Sequence, residues 1–352
     1  MDRTELLNRL IETVMSENGS DIHLSEGRVP FIRVASFLIP LMKEKPLTAE
    51  DMDGFLNGLL RPEIKANFLA TKEQDFAYSH STARFRGNAF YHLGKISIAL
   101  RLIPKRIRTL EELNLPPILE SFTKKQQGFF LTVGPAGQGK STTLATLIEM
   151  INLERLEHIV TIEDPIEYLF EPKKAIIDQR EVRIDTADFH SALWSVFRQD
   201  VDVVMIGEMR DPDTVATAVT AAETGHLVFS TLHTNTAAQT IDRIIDAFPA
   251  DQQSQIRIQL AGSLAGIFSQ RLIPRISGGL VPAYELLINN NAVANLIRER
   301  RTHEVNAVIE TSSEDGMIDL NRSLATLVQN GEITVENAYM FSTNPKTLEK
   351  ML

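Results

Sequence analysis

Cysteine is absent from this 352-residue sequence, and long apolar runs are absent too. Without cysteine sulfur there are no disulfide bonds and no thiolate metal sites. No eighteen apolar residues run together, so no segment is expected to span a bilayer. The start, MDRTELLNRLIETV, lacks the apolar core of a signal peptide. We therefore expect a cytoplasmic protein, which leaves docking on a membrane assembly possible.

Positive charge is scarce relative to negative charge: 36 lysine and arginine residues against 46 aspartate and glutamate residues give a net charge of −10. General nucleic-acid binding usually needs a positive surface, so the sequence argues against it, a local basic groove excepted. Hydrophobic residues make up 43% of the chain, as in soluble globular proteins. The length is too great for one compact core and suits two domains.

The first hundred residues mix short strand-like and helix-like stretches. An amphipathic first helix is predicted by apolar residues at helical spacing: Leu6, Leu7, Leu10, Ile11, Val14 and Met15. Strand-like stretches from DIHLS to ISIALRLIP then surround two helix-like ones, AEDMDGFLNGLL and RPEIKANFL. We predict a small α+β domain at residues 1–104 and a polar, proline-bounded linker at residues 105–117.

Residues 118–352 have a different hydrophobic pattern, in which short apolar runs alternate with longer segments of helical periodicity. This alternation predicts a parallel sheet covered by helices, an α/β fold whose ligands bind beyond the carboxyl ends of the strands. Trp194 is predicted to be a core residue of a covering helix. A second stripe of predicted core residues is Ile241, Ile244, Ile245 and Phe248.

A phosphate-binding loop is predicted at GPAGQGKST, which fits G-x-x-x-x-G-K-[ST] between a strand and a helix. Its residues are Gly134, Pro135, Ala136, Gly137, Gln138, Gly139, Lys140, Ser141 and Thr142. Backbone N–H groups of such a loop and the helix N-terminus surround phosphates. Lys140 should reach the β- and γ-phosphates of ATP, and the Ser141 hydroxyl should bind Mg²⁺. The alternative is a chance glycine-rich turn.

Two acidic residues follow neighbouring strands. Glu163 ends the strand Ile159–Ile162, and Glu208 follows the strand Val201–Ile206. Carboxylates at adjacent strand ends facing one Mg²⁺–phosphate group make a hydrolytic site. Either could polarise the attacking water or hold Mg²⁺ through water, and the residues do not say which is the base. The alternative is a solvated acidic turn.

His226 and His233 flank the apolar run LVFST. An odd offset of seven would place the two imidazoles on opposite faces of a strand, about 23 Å apart, so a shared metal is not expected. The pattern favours a core role for His226. His233, with Ser230 and Thr231, is expected at the nucleotide edge, where Thr231 and the His233 imidazole could act as parts of a switch.

Many ordered motifs resemble those of one family. They are GSDIHLS, ARFRGNAF, GPAGQGKST, HIVTIEDPIEY, FRQDVDVVMIGEMRD, AAETGHLVFSTLHTNTAAQTIDRIIDAFP and AVANLIRERRTHEV. Together they resemble the bacterial secretion and pilus ATPase superfamily, and most closely the type IV pilus retraction ATPases (PilT-like). Relatives in extension and type II secretion commonly carry a four-cysteine zinc module, which this sequence lacks.

The resemblance implies a PAS-like N-terminal domain before a RecA-like ATPase domain, assembled as a homohexamer with ATP and Mg²⁺ between domains. It assigns the hydrolytic acids to Glu163 and Glu208, and extends the switch role to His226. It also implies that Arg84, Arg86 and Arg101 contact phosphates. An inner-membrane platform protein is the implied partner, with peripheral association at the inner membrane, and a paralogous pilus ATPase is a further candidate.

Departures from the family pattern leave two other functions open. YHLG stands at Tyr91–Gly94, where an arginine-bearing stretch is common, and Val293 and Ala294 replace an Ile-Arg pair. An accessory retraction ATPase with weak turnover of its own is one alternative. A hexameric nucleic-acid translocase on the same core is the other, although the acidic charge and the histidine motif disfavour it.

Overall fold

The computed structural model of the chain describes residues 3–34, 37–80, 83–209 and 211–352. The chain forms two compact units. The first comprises Met1–Lys105 and Glu167–Leu169, and the second comprises Arg106–Ile166 and Phe170–Leu352. Leu110 and Leu115, in the segment predicted as a linker, are buried. Within the described ranges no helix is both long and apolar enough to cross a membrane.

The first unit is built on an antiparallel sheet of six strands in the order β3-β2-β1-β6-β5-β4. The strands are β1 (Asp21–Ser25), β2 (Phe31–Val34), β3 (Phe37–Pro40), β4 (Glu73–His80), β5 (Ala83–His92) and β6 (Lys95–Ile103). The helices are α1 (Arg3–Ser16), α2 (Ala49–Leu59) and α3 (Pro62–Thr71). The small α+β domain predicted from the sequence is confirmed.

The departure YHLG falls on the turn between β5 and β6. His92 pairs with Lys95, and the two residues between them, Leu93 and Gly94, have positive φ values of 48° and 76°. Two-residue hairpin turns of this kind match the twist of the strands that they join. Leu93 is almost fully exposed at this turn, whereas Tyr91 in the same stretch stacks on Phe68 with the ring centroids 5.2 Å apart.

The second unit is built on a seven-stranded sheet in the order β13-β12-β7-β11-β10-β8-β9. The strands are β7 (Gly128–Val133), β8 (His158–Glu163), β9 (Ile176–Glu181), β10 (Val203–Ile206), β11 (Leu227–Leu232), β12 (Leu264–Pro274) and β13 (Leu280–Ile288). Neighbouring strands are parallel except β12 and β13, which are antiparallel. Every residue of β7, β10 and β11 is buried, as expected of strands covered on both faces.

Helices cover this sheet, and polar side chains fix where several of them begin. The helices are α4 (Glu120–Thr123), α5 (Lys140–Glu154), α6 (Phe189–Val196), α7 (Pro212–Glu223), α8 (Ala237–Asp246), α9 (Gln253–Ser263), α10 (Asn291–Arg298), α11 (Val305–Thr311), α12 (Leu320–Gln329), α13 (Val335–Phe341) and α14 (Pro345–Glu349). Asp211, Thr236 and Asn290 each accept a backbone N–H in the first turn of the following helix, which caps α7, α8 and α10.

The predicted core of α8 is confirmed, but the prediction for Trp194 is wrong. Ile241, Ile244, Ile245 and Phe248 are all buried. Trp194 in α6 is 54% exposed. The buried positions of that helix are Ala192, Leu193 and Val196, so the indole lies on its outer side, edge-on to Phe197 with the ring centroids 5.8 Å apart.

Candidate functional site

The polar residues singled out in the sequence gather at one edge of the second sheet because its parallel strands end together. Val133, which ends β7, pairs with Leu232 of β11 and with Ser269 of β12. Ile206, which ends β10, pairs with Ser230 and with Ile162 of β8. The segments that follow therefore emerge side by side, which is where open parallel sheets bind ligands.

The segment after β7 has the geometry of a phosphate-binding loop. Gly134, Gly137 and Gly139 have positive φ values of 146°, 76° and 81°, which glycine adopts without strain. Gly139 caps α5, whose first turn contains Lys140, Ser141 and Thr142. Backbone N–H groups at the start of a helix favour an anion. The predicted strand, loop and helix are all present.

Lys140 and two other predicted residues lie next to one another. Its buried ammonium donates to the carbonyl oxygens of Gly134 and Pro135, both at 2.8 Å, and lies 3.4 Å from His233 Nδ1. His233 Nε2 lies 3.8 Å from the Glu208 carboxylate. The imidazole thus lies between the lysine of the phosphate loop and an acid on a neighbouring strand end.

Glu163 is buried at the end of β8 and makes its own hydrogen bonds. Its Oε1 accepts from the Thr161 hydroxyl at 2.7 Å and from Gln179 Nε2 at 3.2 Å. The Gly207 N–H, one residue before Glu208, donates to the Ile162 carbonyl at 2.8 Å. Bonds from Thr161 and Gln179 fix the orientation of this carboxylate.

Two hydroxyl groups of β11, one from a serine and one from a threonine, form hydrogen bonds with the segment that carries Glu208. Thr231 Oγ1 donates to the Gly207 carbonyl at 2.6 Å, and Ser230 Oγ donates to the Ile206 carbonyl at 2.9 Å. Both residues are buried. Thr231, predicted as part of a switch, therefore holds the backbone immediately before Glu208.

His226 lies at the opposite end of β11 from His233. It precedes Leu227, the first residue of the strand, and its Nδ1 is 3.1 Å from the Ala221 carbonyl. Its ring meets Phe197 edge-on with the centroids 5.5 Å apart. The two histidines are therefore separated by the length of the strand, and only His233 lies near Lys140.

The three predicted phosphate-contacting arginines share one face of the first sheet. Arg86 on β5 pairs with Arg101 on β6, and Arg84 is two residues before Arg86. Arg101 Nε donates to Asp21 at 2.8 Å. Burial acts to raise the pKa of Asp21, but hydrogen bonds from Ser20 and Arg101 outweigh it, and the pKa is lowered. Arg101 nevertheless keeps 70% of its side chain exposed.

The oxygen donors at this edge fit a small divalent cation bound together with phosphates. In the part of the chain that the structure describes, no three histidine or acidic side chains form a metal cluster. Mg²⁺ in phosphate loops needs no such cluster, since it is bound by one hydroxyl, phosphate oxygens and water. Ser141, in the first turn of α5, and the carboxylates of Glu163 and Glu208 are the hard oxygen donors that suit it.

Three buried residues near this edge are not among those predicted from the sequence: Gln270, Arg271 and Glu285. Gln270 and Arg271 lie on β12 beside the phosphate loop, and Glu285 lies on β13. The pair QR directly after the apolar run LAGIFS is a signal of the same kind as the polar ends of the other strands. The run was not recognised as a strand of this sheet.

Comparisons with known proteins agree with this architecture. The family model described as type II/IV secretion system protein matches residues 76–338. PilT of Pseudomonas aeruginosa, described as a type IV pilus retractation ATPase, is 41% identical over 96% of this chain and 97% of its own length. The type IV pilus ATPase PilU of the same organism is 38% identical over 98% of this chain and 90% of its own length.

A solved structure has the same fold over nearly the whole chain. The crystal structure of the pilus retraction motor PilT with bound ADP is 44% identical, with a TM-score of 0.90 over 97% of this chain and 98% of that chain. The parallel sheet of the second unit is thus a RecA-like ATPase core, with a small antiparallel-sheet domain before it. This chain belongs to the type II/IV secretion system protein family, as a PilT-like secretion ATPase.

Proposed function

We propose that this chain is an ATP-hydrolysing motor that assembles as a homohexamer and powers the retraction of type IV pili. The observation that carries the proposal is the line of Lys140, His233 and Glu208 at the phosphate loop, in a chain similar to PilT along nearly its whole length. Within this proposal the chain acts at the cytoplasmic face of the inner membrane, on a platform protein that releases pilin subunits from the fibre.

The reaction is ATP plus water to ADP plus phosphate. The loop from Gly134 to Gly139 and the start of α5 hold the phosphates, and Lys140 leaves its two carbonyl partners for the β- and γ-phosphate oxygens. Glu163 or Glu208 orients the water that attacks the γ-phosphorus and receives its proton as the bond to the β–γ bridging oxygen breaks. Ser141, and Glu163 or Glu208 through water, would hold Mg²⁺, which would neutralise charge on the phosphates.

The proposal also assigns phosphate contacts to three arginines of the first unit. Arg84, Arg86 and Arg101 share one sheet face, so a single phosphate group presented to that face can contact several guanidinium groups. Arg101 would share its charge between Asp21 and the phosphate. The proposal assigns these arginines to charge stabilisation in the transition state.

His233 is the proposed coupling residue. It lies beside Lys140, which faces the terminal phosphates in loops of this type. Loss of the γ-phosphate would change the charge on one side of the imidazole while Glu208 remains on the other. The segment from His233 to α8 would then shift with the nucleotide state, which is the local event that a ring motor needs. His226, at the other end of the strand, would transmit the same shift to the opposite end of β11.

A type IV pilus ATPase that works beside a paralogous motor is the second candidate. Identities of 41% to PilT and 38% to PilU over nearly the same length do not separate the two. One departure from the family pattern that suggested this second candidate is weaker support for it in the structure. Val293 and Ala294 are both buried on α10, so the exposed charge of that helix comes from residues such as Arg298.

ATP turnover by the purified chain, measured with its oligomeric mass and repeated with single-stranded DNA, tests the proposal. The proposal expects a hexamer whose turnover is unchanged by DNA. Turnover that single-stranded DNA stimulates would indicate a nucleic-acid translocase instead. ATP binding without turnover would favour the second candidate.

A further inference from the structure

β12 continues beyond the end of β7 and runs alongside the phosphate loop. Ser269 pairs with Val133, the last residue of β7, so Gln270 and Arg271 lie level with the start of the loop. Successive side chains on a strand point to opposite faces. Gln270 therefore contacts the phosphate loop and α5 on one face, and Arg271 contacts the segment after His233 on the other.

Gln270 is bonded to both parts of the phosphate-binding segment. Its Nε2 donates to the Gln138 carbonyl at 2.8 Å, and its Oε1 accepts from the Thr143 hydroxyl at 2.7 Å. The Gln138 carbonyl can only accept, so it sets the orientation of the Gln270 amide. In return, Gln138 Oε1 accepts the backbone N–H of Leu272 at 2.6 Å. Loop and strand thus exchange a pair of side-chain-to-backbone bonds.

The loop packs closely against β12 at two of its glycines. A Cβ atom on Gly139 would lie 2.9 Å from Gln270 Nε2, and one on Gly134 would lie 2.6 Å from the Gln270 carbonyl oxygen. Both contacts are shorter than normal van der Waals distances. Two glycines of the phosphate loop therefore serve close packing on residue 270 as well as their own positive φ.

Arg271 is bonded to the segment after His233 in a comparable way. Its Nη2 donates to the carbonyl of Asn235 at 3.1 Å and to its Oδ1 at 2.9 Å, and Nη1 donates to the Gln270 carbonyl at 2.9 Å. Ser269 Oγ donates to the same Asn235 carbonyl at 2.8 Å. The segment between β11 and α8 is thereby held on the side of the sheet that carries His233.

We propose that Gln270 and Arg271 are positioning residues for nucleotide, of which Gln270 fixes the phosphate loop and Arg271 fixes the segment that places His233 beside the terminal phosphate. The inference rests on the proposed assignment of this site to ATP. One strand then controls two separable properties. Gln270 determines how tightly any nucleoside di- or triphosphate binds, and Arg271 determines how strongly the site distinguishes the two.

Replacing Gln270 by methionine tests the first property, because methionine has a similar length and makes neither hydrogen bond. The probes are a fluorescent ADP analogue and a non-hydrolysable ATP analogue, titrated into the full-length protein. Loss of both bonds at a buried site is expected to weaken both analogues by about ten-fold, or about 1.4 kcal/mol. Gln270→Glu, which opposes a carboxylate to the Gln138 carbonyl, should weaken both further. Gln255→Glu, at an exposed position on α9, is the matched control and should match the unaltered protein.

Replacing Arg271 by lysine tests the second property. One ammonium group cannot reproduce the bonds of both Nη atoms, although the positive charge is kept. The ratio of the two affinities should move towards equality by about ten-fold, while the ADP affinity changes by about two-fold at most. Asn235→Ala should shift the ratio in the same direction because it removes one acceptor of Arg271. Arg322→Lys, exposed on α12, is the control for the exchange of side chains.

The thermal unfolding midpoint of each variant separates positioning from general structural support. The proposal requires weakened binding, or a changed ratio, at temperatures where the variant is fully folded. Unchanged affinity in a folded Gln270→Met variant would refute it, as would equal weakening of both analogues in Arg271→Lys. Lys140→Ala is measured in parallel. An unaltered protein that binds neither analogue would refute the proposed function together with this inference, whereas binding that Lys140→Ala abolishes leaves the inference to stand or fall on its own variants.

Discussion

Replacing Glu285 by glutamine is expected to change how the stability of the second unit depends on pH. Glu285 is buried on β13, and its Oε1 accepts the Ala237 N–H, the first of α8, at 2.7 Å. Burial raises the pKa of Glu285 to about 7 from its ordinary value of 4.5. The Ala237 hydrogen bond lowers it, nearby Asp319 raises it, and Arg271 lowers it.

Protonation of Glu285 stabilises the folded chain relative to the unfolded chain. The folded chain holds the Glu285 proton more tightly than the unfolded chain, so protonation contributes stability that is complete below about pH 4.5. That contribution is lost as the pH rises through about 7. The difference between the two pKa values corresponds to about 3 kcal/mol at about 1.36 kcal/mol per unit. When the pH is lowered from about 8.5 to about 5.5, the free energy of unfolding should rise by about 2 kcal/mol through protonation of Glu285.

Urea unfolding, followed by tryptophan fluorescence, measures this effect in the second unit of the chain. Trp194 is the only tryptophan in the sequence and lies on α6 of the second unit. Glutamine can still accept the Ala237 N–H but does not titrate, so the Glu285→Gln variant should lack the gain at low pH. Glu310→Gln, exposed on α11, is the matched control and should follow the unaltered protein. Parallel pH curves for the unaltered protein and Glu285→Gln would contradict the raised pKa of Glu285.

Two further predictions concern the core and the histidines. Phe229→Ala should lower the free energy of unfolding by about 3–5 kcal/mol, because the ring is fully buried with its centroid 5.8 Å from that of Phe130. A loss under 1 kcal/mol in the same urea assay would contradict this packing. His233→Gln should weaken the ATP analogue by several-fold relative to ADP, whereas His226→Gln should leave ADP affinity within about two-fold, since the two residues lie at opposite ends of β11. Equal effects of the two changes on nucleotide titrations would show that this separation is irrelevant to binding.

Local signals in the sequence were enough to predict the phosphate loop and the strand ends. Gly134, Gly137 and Gly139 mark a turn that only one backbone geometry satisfies, and strands covered on both faces read as continuous apolar runs. The positions of Glu163, Glu208 and His233 at a shared edge follow once those strands are taken as parallel.

Contacts between residues distant in sequence were not predictable in this way. Gln270 and Gln138 are 132 residues apart, and nothing in the pattern of either segment specifies the other. The exposure of Trp194 depends on three smaller apolar residues of the same helix occupying the inward positions. Hydrophobicity alone assigned the indole to the core. The pairing of Arg101 with Asp21 likewise depends on β1 and β6 being neighbours, which the sequence order does not reveal.

The most direct test of whether this chain is an ATP-hydrolysing motor compares the unaltered chain with Glu208→Gln. ATP binding and ATP turnover are measured side by side for the two purified proteins. Glutamine keeps the size of the side chain beside His233 but loses the carboxylate, which the proposal uses either to take a proton from water or to hold Mg²⁺. The variant is expected to bind ATP with an affinity close to that of the unaltered chain and to lose turnover by about a hundred-fold or more. Turnover that survives the substitution would contradict the proposed role of Glu208, and an unaltered chain that binds ATP without hydrolysing it would contradict the claim that this protein is a motor in its own right.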